Sequence, residues 1–313
     1  MVENYPTGSA SVQKILQKQS EEKGLEVYML REDLLGGDMQ GNKWRKLRLH
    51  IEKAKMDGQD TLLSFGGPWS NHLYALAAAG RDFGFKTIGV IRGEEPVPLT
   101  DTLEFAKSCG MKLHFVSRAE YAEKEQDYFK AWLHDTYGAF HLIPEGGADF
   151  LGVNGCIDIL AEKAKSFDVI CVACGTGTTL AGMLLAMHPR NRFIGFSAVK
   201  GGEYIKDLIT SRLNYFLMSE EEALSYSPYF NVISDYAFGG FAKVNDELLN
   251  FMQAFYQTEE IMLDPLYTGK MMYGISDLIE KGRFVPGTKI LAVHTGGLQG
   301  LKGIERKTGK SLY

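Results

Sequence analysis

Seven short apolar runs recur along this chain, and most are followed by a longer stretch with helical spacing. No other feature constrains the fold as much. The runs cover residues 61–66, 86–91, 112–116, 139–143, 168–173, 192–197 and 289–294. The helical patterns cover 69–83, 120–137, 153–166, 178–188, 245–256 and 267–281. Near-continuous apolar strands separated by helices of ten to fifteen residues predict parallel or mixed sheets covered by helices, an α/β protein. With 313 residues the chain is long enough for two such domains. No repeat or low-complexity segment interrupts the pattern.

Three of the predicted strands run directly into glycine-rich turns. "SFGGPWSNHLYALAAAG" places Gly66, Gly67, Ser70 and Asn71 after the first, "VACGTGTTLAGM" places Gly175 to Thr179 after the fifth, and "AVHTGGLQGL" places Thr295 to Gly297 after the last. In open α/β sheets, ligands bind beyond the carboxyl ends of the strands. Each turn alone is explained by helix capping, since Ser, Asn and Thr are good N-caps. Three together predict a binding crevice.

The middle turn has the chemistry of a phosphate cup. Glycines allow close backbone approach, and amides at a helix start donate to an anion beside the hydroxyls of Thr176, Thr178 and Thr179. It is not a Walker A loop, because no Gly-Lys-Ser/Thr follows. The spacing Gly175, Gly177, Gly182 also departs from the dinucleotide fingerprint, although a nucleotide-dependent oxidoreductase stays open at this point. A small phosphorylated cofactor suits the turn better. Pyridoxal phosphate needs one lysine amine for a Schiff base, and "GNKWRKL" offers Lys43 on a turn where an amphipathic helix begins.

"GNKWRKL" resembles the lysine motif of the 1-aminocyclopropane-1-carboxylate (ACC) deaminase / D-cysteine desulfhydrase family, with the tryptophan-synthase-β-like fold, type II. The resemblance runs in order through "REDLLGGDMQGNKWRKL", "SFGGPWSNHLYALAAAG", "IPEGGADFLGVNG", "VACGTGTTLAGM", "DPLYTGKMMYGISDLI" and "HTGGLQGL". It implies a larger cofactor-binding domain of residues 1–45 plus 154–313, a smaller domain of 46–153, and an active site in the cleft between them. By the same resemblance, Lys43 would bond covalently to the cofactor and later move the Cα proton. Asn71 would meet the pyridine 3′-oxygen, and Ser70 would hold the substrate carboxylate or assist proton transfer. Gly175, Thr176, Gly177, Thr178 and Thr179 would hold the phosphate. Thr295 would meet the pyridine nitrogen, and Tyr267 the ring or the substrate. Tyr236, in "DYAFGGFAK", is a further candidate phenol.

The chain departs from the family pattern in informative places. Pro68 and Trp69 stand before Ser70-Asn71-His72, where relatives carry Gln. Members that open the cyclopropane ring carry Glu after the motif tyrosine and Leu after the motif histidine. Here those positions are Thr268 and Thr295. The resemblance therefore favours elimination from D-cysteine, giving pyruvate, ammonia and sulfide. ACC deamination to 2-oxobutyrate is the alternative, and a non-catalytic binding protein on the same fold is a third reading. The substrate would be a small amino acid, and a homodimer is expected from the resemblance.

Other signals argue by exclusion. A net charge of −5 argues against a nucleic-acid partner. The start of the sequence has no apolar run flanked like a secretory signal, and no stretch suits a membrane span. Four cysteines are too few for a disulfide framework, so a cytoplasmic protein is expected. "CVAC", Cys171 to Cys174, has redox spacing, but lies on a predicted strand and reads as packing. The histidines show no zinc spacing, so no metal is expected.

Overall fold

The computed structural model describes residues 10–313, so residues 1–9 of the expected larger domain lie outside the described part. Among the described residues ten strands form two sheets. Strands β1 (Val12–Ile15), β2 (Glu26–Leu30), β7 (Val169–Cys174), β8 (Arg192–Ser197), β9 (Phe230–Ile233) and β10 (Lys289–Val293) make a sheet of order β1-β2-β10-β7-β8-β9. Strands β3 (Thr61–Gly66), β4 (Lys86–Arg92), β5 (Lys112–Val116) and β6 (His141–Ile143) make one of order β5-β4-β3-β6. Every pairing is parallel except β1 with β2. The architecture is thus the α/β one expected, with one parallel and one mixed sheet covered by helices.

Alternation along the central strands explains why they read as continuous apolar runs. In β7, Ile170, Val172 and Cys174 enter one hydrophobic cluster while Cys171 and Ala173 enter another across the sheet. β10 divides the same way, Leu291 and Val293 against Ile290 and Ala292. A strand buried on both faces has no polar face to show. Cys171 and Cys174 are therefore separated by the sheet, and both thiols are free.

All seven expected strands are present. The three unexpected ones explain themselves: β1 and β9 are edge strands of four residues with exposed or polar positions, and β2 is the short strand that β1 covers. The helix expected over 120–137 is two helices, Arg118–Ala122 and Asp127–Tyr137, the first opened by a Ser117/Glu120 capping box. The pattern over 153–166 is the helix Phe150–Ile157 followed by a 3-10 turn. The helices Asp101–Ser108 and Tyr204–Leu217 had no counterpart in the sequence reading. Among the described residues no helix is long and apolar enough to cross a membrane.

Three helices stack at backbone contact behind the lysine motif. A Cβ on Gly155 would lie 2.0 Å from the carbonyl oxygen of Arg45, and one on Gly182 would lie 2.4 Å from that of Val153. These glycines let the helices Asn42–Met56, Phe150–Ile157 and Thr178–Leu185 touch directly. The rotation of the first is fixed by Arg45, whose Nε and Nη2 donate to the two carboxylate oxygens of buried Glu32, both at 2.9 Å. Gly155→Ala forces the pair of helices apart, and overpacking of this kind costs about 2–3 kcal/mol. The expected outcome is a lower urea midpoint at unchanged slope, together with weaker cofactor retention; an unaltered midpoint would show that the contact relaxes without strain.

Candidate active site

The three glycine turns converge, as their positions after β3, β7 and β10 require. They line one cleft of about 740 Å³, together with Lys43, Ser70, Asn71, Tyr267 and Thr295. Strands of both sheets contribute to its walls.

Asn42 ties the turns together. Its backbone N–H donates to the carbonyl of Thr295 (3.4 Å), and its Nδ2 donates to Thr179 Oγ1 (3.0 Å). Its Oδ1 accepts from Lys43 Nζ at 3.0 Å. Gly41 permits this, with φ of 59° and a Cβ position only 2.4 Å from the Thr295 oxygen. A side chain there would strike the third turn and is conformationally disfavoured as well. Burial lowers the Lys43 amine to about 7, and the charge of Lys46 adds to the shift. Near neutral pH a large fraction is thus the free amine, the form that attacks a carbonyl.

Ser70 caps the helix Asn71–Phe83, its Oγ accepting from the N–H of Leu73 at 3.2 Å. Asn71 opens that helix beside the third turn, and its Oδ1 is buried without a hydrogen-bond partner. His72 places Nε2 2.8 Å from Ser64 Oγ and leaves Nδ1 buried and unpartnered. Burial, then the charge of Lys43, holds its imidazole well below the usual range and therefore neutral.

At the middle turn, Gly177 adopts φ of 76° as the N-cap of the helix Thr178–Leu185. Thr176 and Thr178 share a hydrogen bond between their hydroxyls (2.9 Å), and Thr178 is buried behind the cleft wall. Two cations that the sequence reading missed sit by this cup. Lys46 is 4% exposed, and burial lowers its basicity. Arg212, from the Tyr204–Leu217 helix, adds to that lowering through its charge and keeps Nε buried without a partner. Neither has a carboxylate partner among the described residues. One buried and one half-buried cation, neither neutralised, beside a ring of donors call for a dianion.

Tyr267 faces the cleft across Gly175, where a Cβ would lie 3.3 Å from its ring; burial raises its phenol, which stays protonated. Thr295, 7% exposed, closes the floor. Trp69 also lines the cleft, its indole seated on Gly303 of the helix Leu301–Thr308, where a Cβ would lie 2.7 Å away.

Besides the Thr178 side chain, the expected site residue Tyr236 lies outside this constellation, and so does Thr268, noted above only as a departure from the family pattern. Tyr236 donates its phenol to Asp277 Oδ2 (2.7 Å) and packs beside Phe196 and Tyr273, opening onto a separate surface groove with Arg192 and Lys281. Its hydroxyl is thereby committed away from the cleft. Thr268 is fully buried and donates to Asp264 Oδ2 (2.7 Å), so it holds the start of its helix and does not line the cleft. Asp264, a buried carboxylate, also accepts from the N–H groups of Leu266, Tyr267 and Thr268. Spacing could have found Lys46, three residues beyond Lys43 on the same helical face. Nothing in the sequence pointed to Arg212.

The set fits pyridoxal phosphate: a weakly basic amine, an amide with spare hydrogen-bonding capacity, a ring-sized wall at Tyr267, and a cationic, donor-rich cup. Among the described residues, no group of His, Cys, Asp and Glu is gathered to hold a metal ion.

Comparison with known proteins agrees. The pattern described as "Pyridoxal-phosphate dependent enzyme" matches residues 14–296. A protein of Pyrococcus horikoshii named as a putative ACC deaminase is 32% identical over 293 residues, covering 90% of this chain and 87% of its own. The mitochondrial bifunctional D-cysteine desulfhydrase/ACC deaminase of Arabidopsis thaliana is 29% identical, over 89% of this chain and 74% of its own. The crystal structure of an ACC deaminase homologue superposes with a TM-score of 0.79 at 30% identity, covering 96% of this chain and 93% of that one.

Two outcomes test the site. Because the Lys43 amine lies near 7, capture of pyridoxal phosphate by the cofactor-free protein should accelerate about tenfold per pH unit below 7 and level off above it. An ordinary lysine would keep accelerating to about pH 10, and that profile would contradict the assignment. Lys46→Met removes one charged donor from the cup and should weaken cofactor affinity about 10- to 100-fold in equilibrium dialysis.

Proposed function

Because the chain belongs to the pyridoxal-phosphate-dependent enzyme family, among relatives named ACC deaminase and D-cysteine desulfhydrase, we propose that it removes the β-substituent of a small D-amino acid. D-Cysteine is the leading substrate, with water as co-reactant and pyruvate, ammonia and sulfide as products. The observation that carries this reading is the Lys43 amine, near 7 and facing the cleft, a base suited to taking a Cα proton. ACC has no such proton. Family membership removes the oxidoreductase and the non-catalytic readings.

Bound pyridoxal phosphate supplies an electron sink conjugated to the substrate nitrogen. The chain's own residues do the rest. Lys43 would hold the cofactor covalently, be displaced by the incoming amine, and then act as base at Cα. Lys46, Arg212, Thr176, Thr179 and the amides from Gly175 to Thr179 would grip the phosphate. Asn71 would fix the ring through its amide, and the neutral hydroxyl of Thr295 would meet the pyridine nitrogen without protonating it. Ser70, at the mouth of the Asn71–Phe83 helix, would bind the substrate carboxylate, favoured there by the helix N-terminus. Tyr267 would shield the reacting face from water.

The expected division into 1–45 plus 154–313 and 46–153 is proposed as the functional split. It is supported by strand membership, since β3 to β6 all fall within 46–153. The boundary at 45/46 cuts the helix Asn42–Met56, which would then bridge the two units. A homodimer in the cytoplasm belongs to the same proposal, the latter supported by four free cysteines.

A second reading, ACC deaminase, is favoured by the names of relatives, among them the ACC deaminase of Rhizobium leguminosarum at 30% identity over 89% of this chain. Thr295 lines the cleft and weighs against it; Thr268, turned to Asp264, no longer bears on the choice. The test offers D-cysteine, L-cysteine and ACC separately to the cofactor-loaded enzyme and assays 2-oxoacid and sulfide. Pyruvate with equimolar sulfide from D-cysteine alone is expected. 2-Oxobutyrate from ACC, with nothing from D-cysteine, would replace the first reading by the second.

A further inference from the structure

Lys270 is a buried lysine that no step above uses. It is 1% exposed, and its Nζ donates to the carbonyls of Ala237 and Gly240 (both 2.8 Å) and of Ala198 (3.4 Å). Its position is unfavourable in two ways. It stands at the third residue of the helix Thr268–Glu280, where the helix dipole disfavours a cation, and it makes no direct ion pair among the described residues. Burial accordingly pulls its ammonium down to about 8, against a partial opposing pull from the carboxylate of Asp264. An ammonium placed at such a disadvantage, yet surrounded by carbonyls, acts as an internal cation.

Two of these carbonyls, those of Ala237 and Gly240, belong to a turn that needs holding; the third, of Ala198, directly follows strand β8. Phe238, Gly239, Gly240 and Ala242 all have positive φ, and for Phe and Ala that conformation is strained. The turn carries Phe241 and Ala242 into the cleft wall. Phe241 is 49% exposed, and its ring meets that of Tyr267 edge-on at 6.1 Å. Tyr267 caps the same helix that bears Lys270. Across the cleft mouth, Lys307 donates to the carbonyl of Ala242 at 3.1 Å.

We propose that Lys270 is a positioning residue: its ammonium gathers the carbonyls of Ala198, Ala237 and Gly240 and so holds the strained turn, with Phe241 against Tyr267, as the substrate-side wall of the cleft. This rests on the reading of the cleft as the amino-acid site and adds a specificity element to it. The substrate side is then set from the helix Thr268–Glu280, by a charge that never meets the substrate.

The experiment uses the cofactor-loaded enzyme and two readouts, hydrogen exchange of the amides of residues 237–242 and steady-state turnover of D-cysteine. Lys270→Ala should accelerate exchange at those amides at least about tenfold and raise KM about tenfold, with kcat within about threefold and cofactor absorbance retained. Methylammonium, which can occupy the vacated space and donate to the same carbonyls, should reverse both effects; tetramethylammonium, which has no N–H, should not. Wild-type exchange and KM in Lys270→Ala, or equal rescue by tetramethylammonium, would overturn the proposal. Should Lys270→Ala not fold, Phe241→Ala, an exposed ring, should reproduce the KM rise in a folded protein, and an unchanged KM there would overturn it. Exchange is read without substrate, so silence toward D-cysteine in the wild type refutes the substrate reading while leaving the exchange arm to decide on Lys270.

Discussion

The structure around the cleft depends on the hydrogen bonds of one small residue. Asn42 joins the start of the lysine helix to the β10 turn through its backbone, to the β7 turn through Thr179, and to the Lys43 amine through its Oδ1. Buried polar groups are tolerated only when satisfied, so this residue forces two strand ends and a helix start into one arrangement. The helices behind it are drawn equally close by Gly155 and Gly182. The glycines give proximity, and Asn42 gives orientation.

Electrostatics then decide what the cleft can accept. Lys43, Lys46 and Arg212 are brought together with little acid nearby, and burial weakens each of them as a base. Concentrating positive charge in a desolvated site is unfavourable in isolation. A phosphate dianion offsets it, while burial, with the charge of Lys46 adding to it, keeps the Lys43 amine near 7, where it is both nucleophile and base. Affinity for the cofactor and reactivity toward it therefore share one physical origin.

How much of this could be read from the sequence depended on what kind of information each feature needs. Fully buried strands such as β7 and β10 declare themselves, because both faces are apolar. Edge strands such as β1 and β9 do not, being short and half polar. The three turns and Lys43, Ser70, Asn71 and Tyr267 were legible because chain order alone places them at strand ends or helix starts. Tyr236 and Thr268 misled because which way one side chain faces is settled by tertiary partners, here Asp277 and Asp264. Arg212 and Lys270 reach their partners only through long-range packing, and no local pattern encodes that.

The central claim is that Lys43, and not the more deeply buried Lys46 one turn away, forms the covalent link to the cofactor. Borohydride reduction of the cofactor-loaded protein, followed by peptide mass mapping, tests it directly. The account predicts a pyridoxyl phosphate label on Lys43 with none on Lys46, because Asn42 holds the first amine at the junction of the turns while the second lies by the phosphate cup. A label on Lys46, or one spread over both lysines, would contradict it.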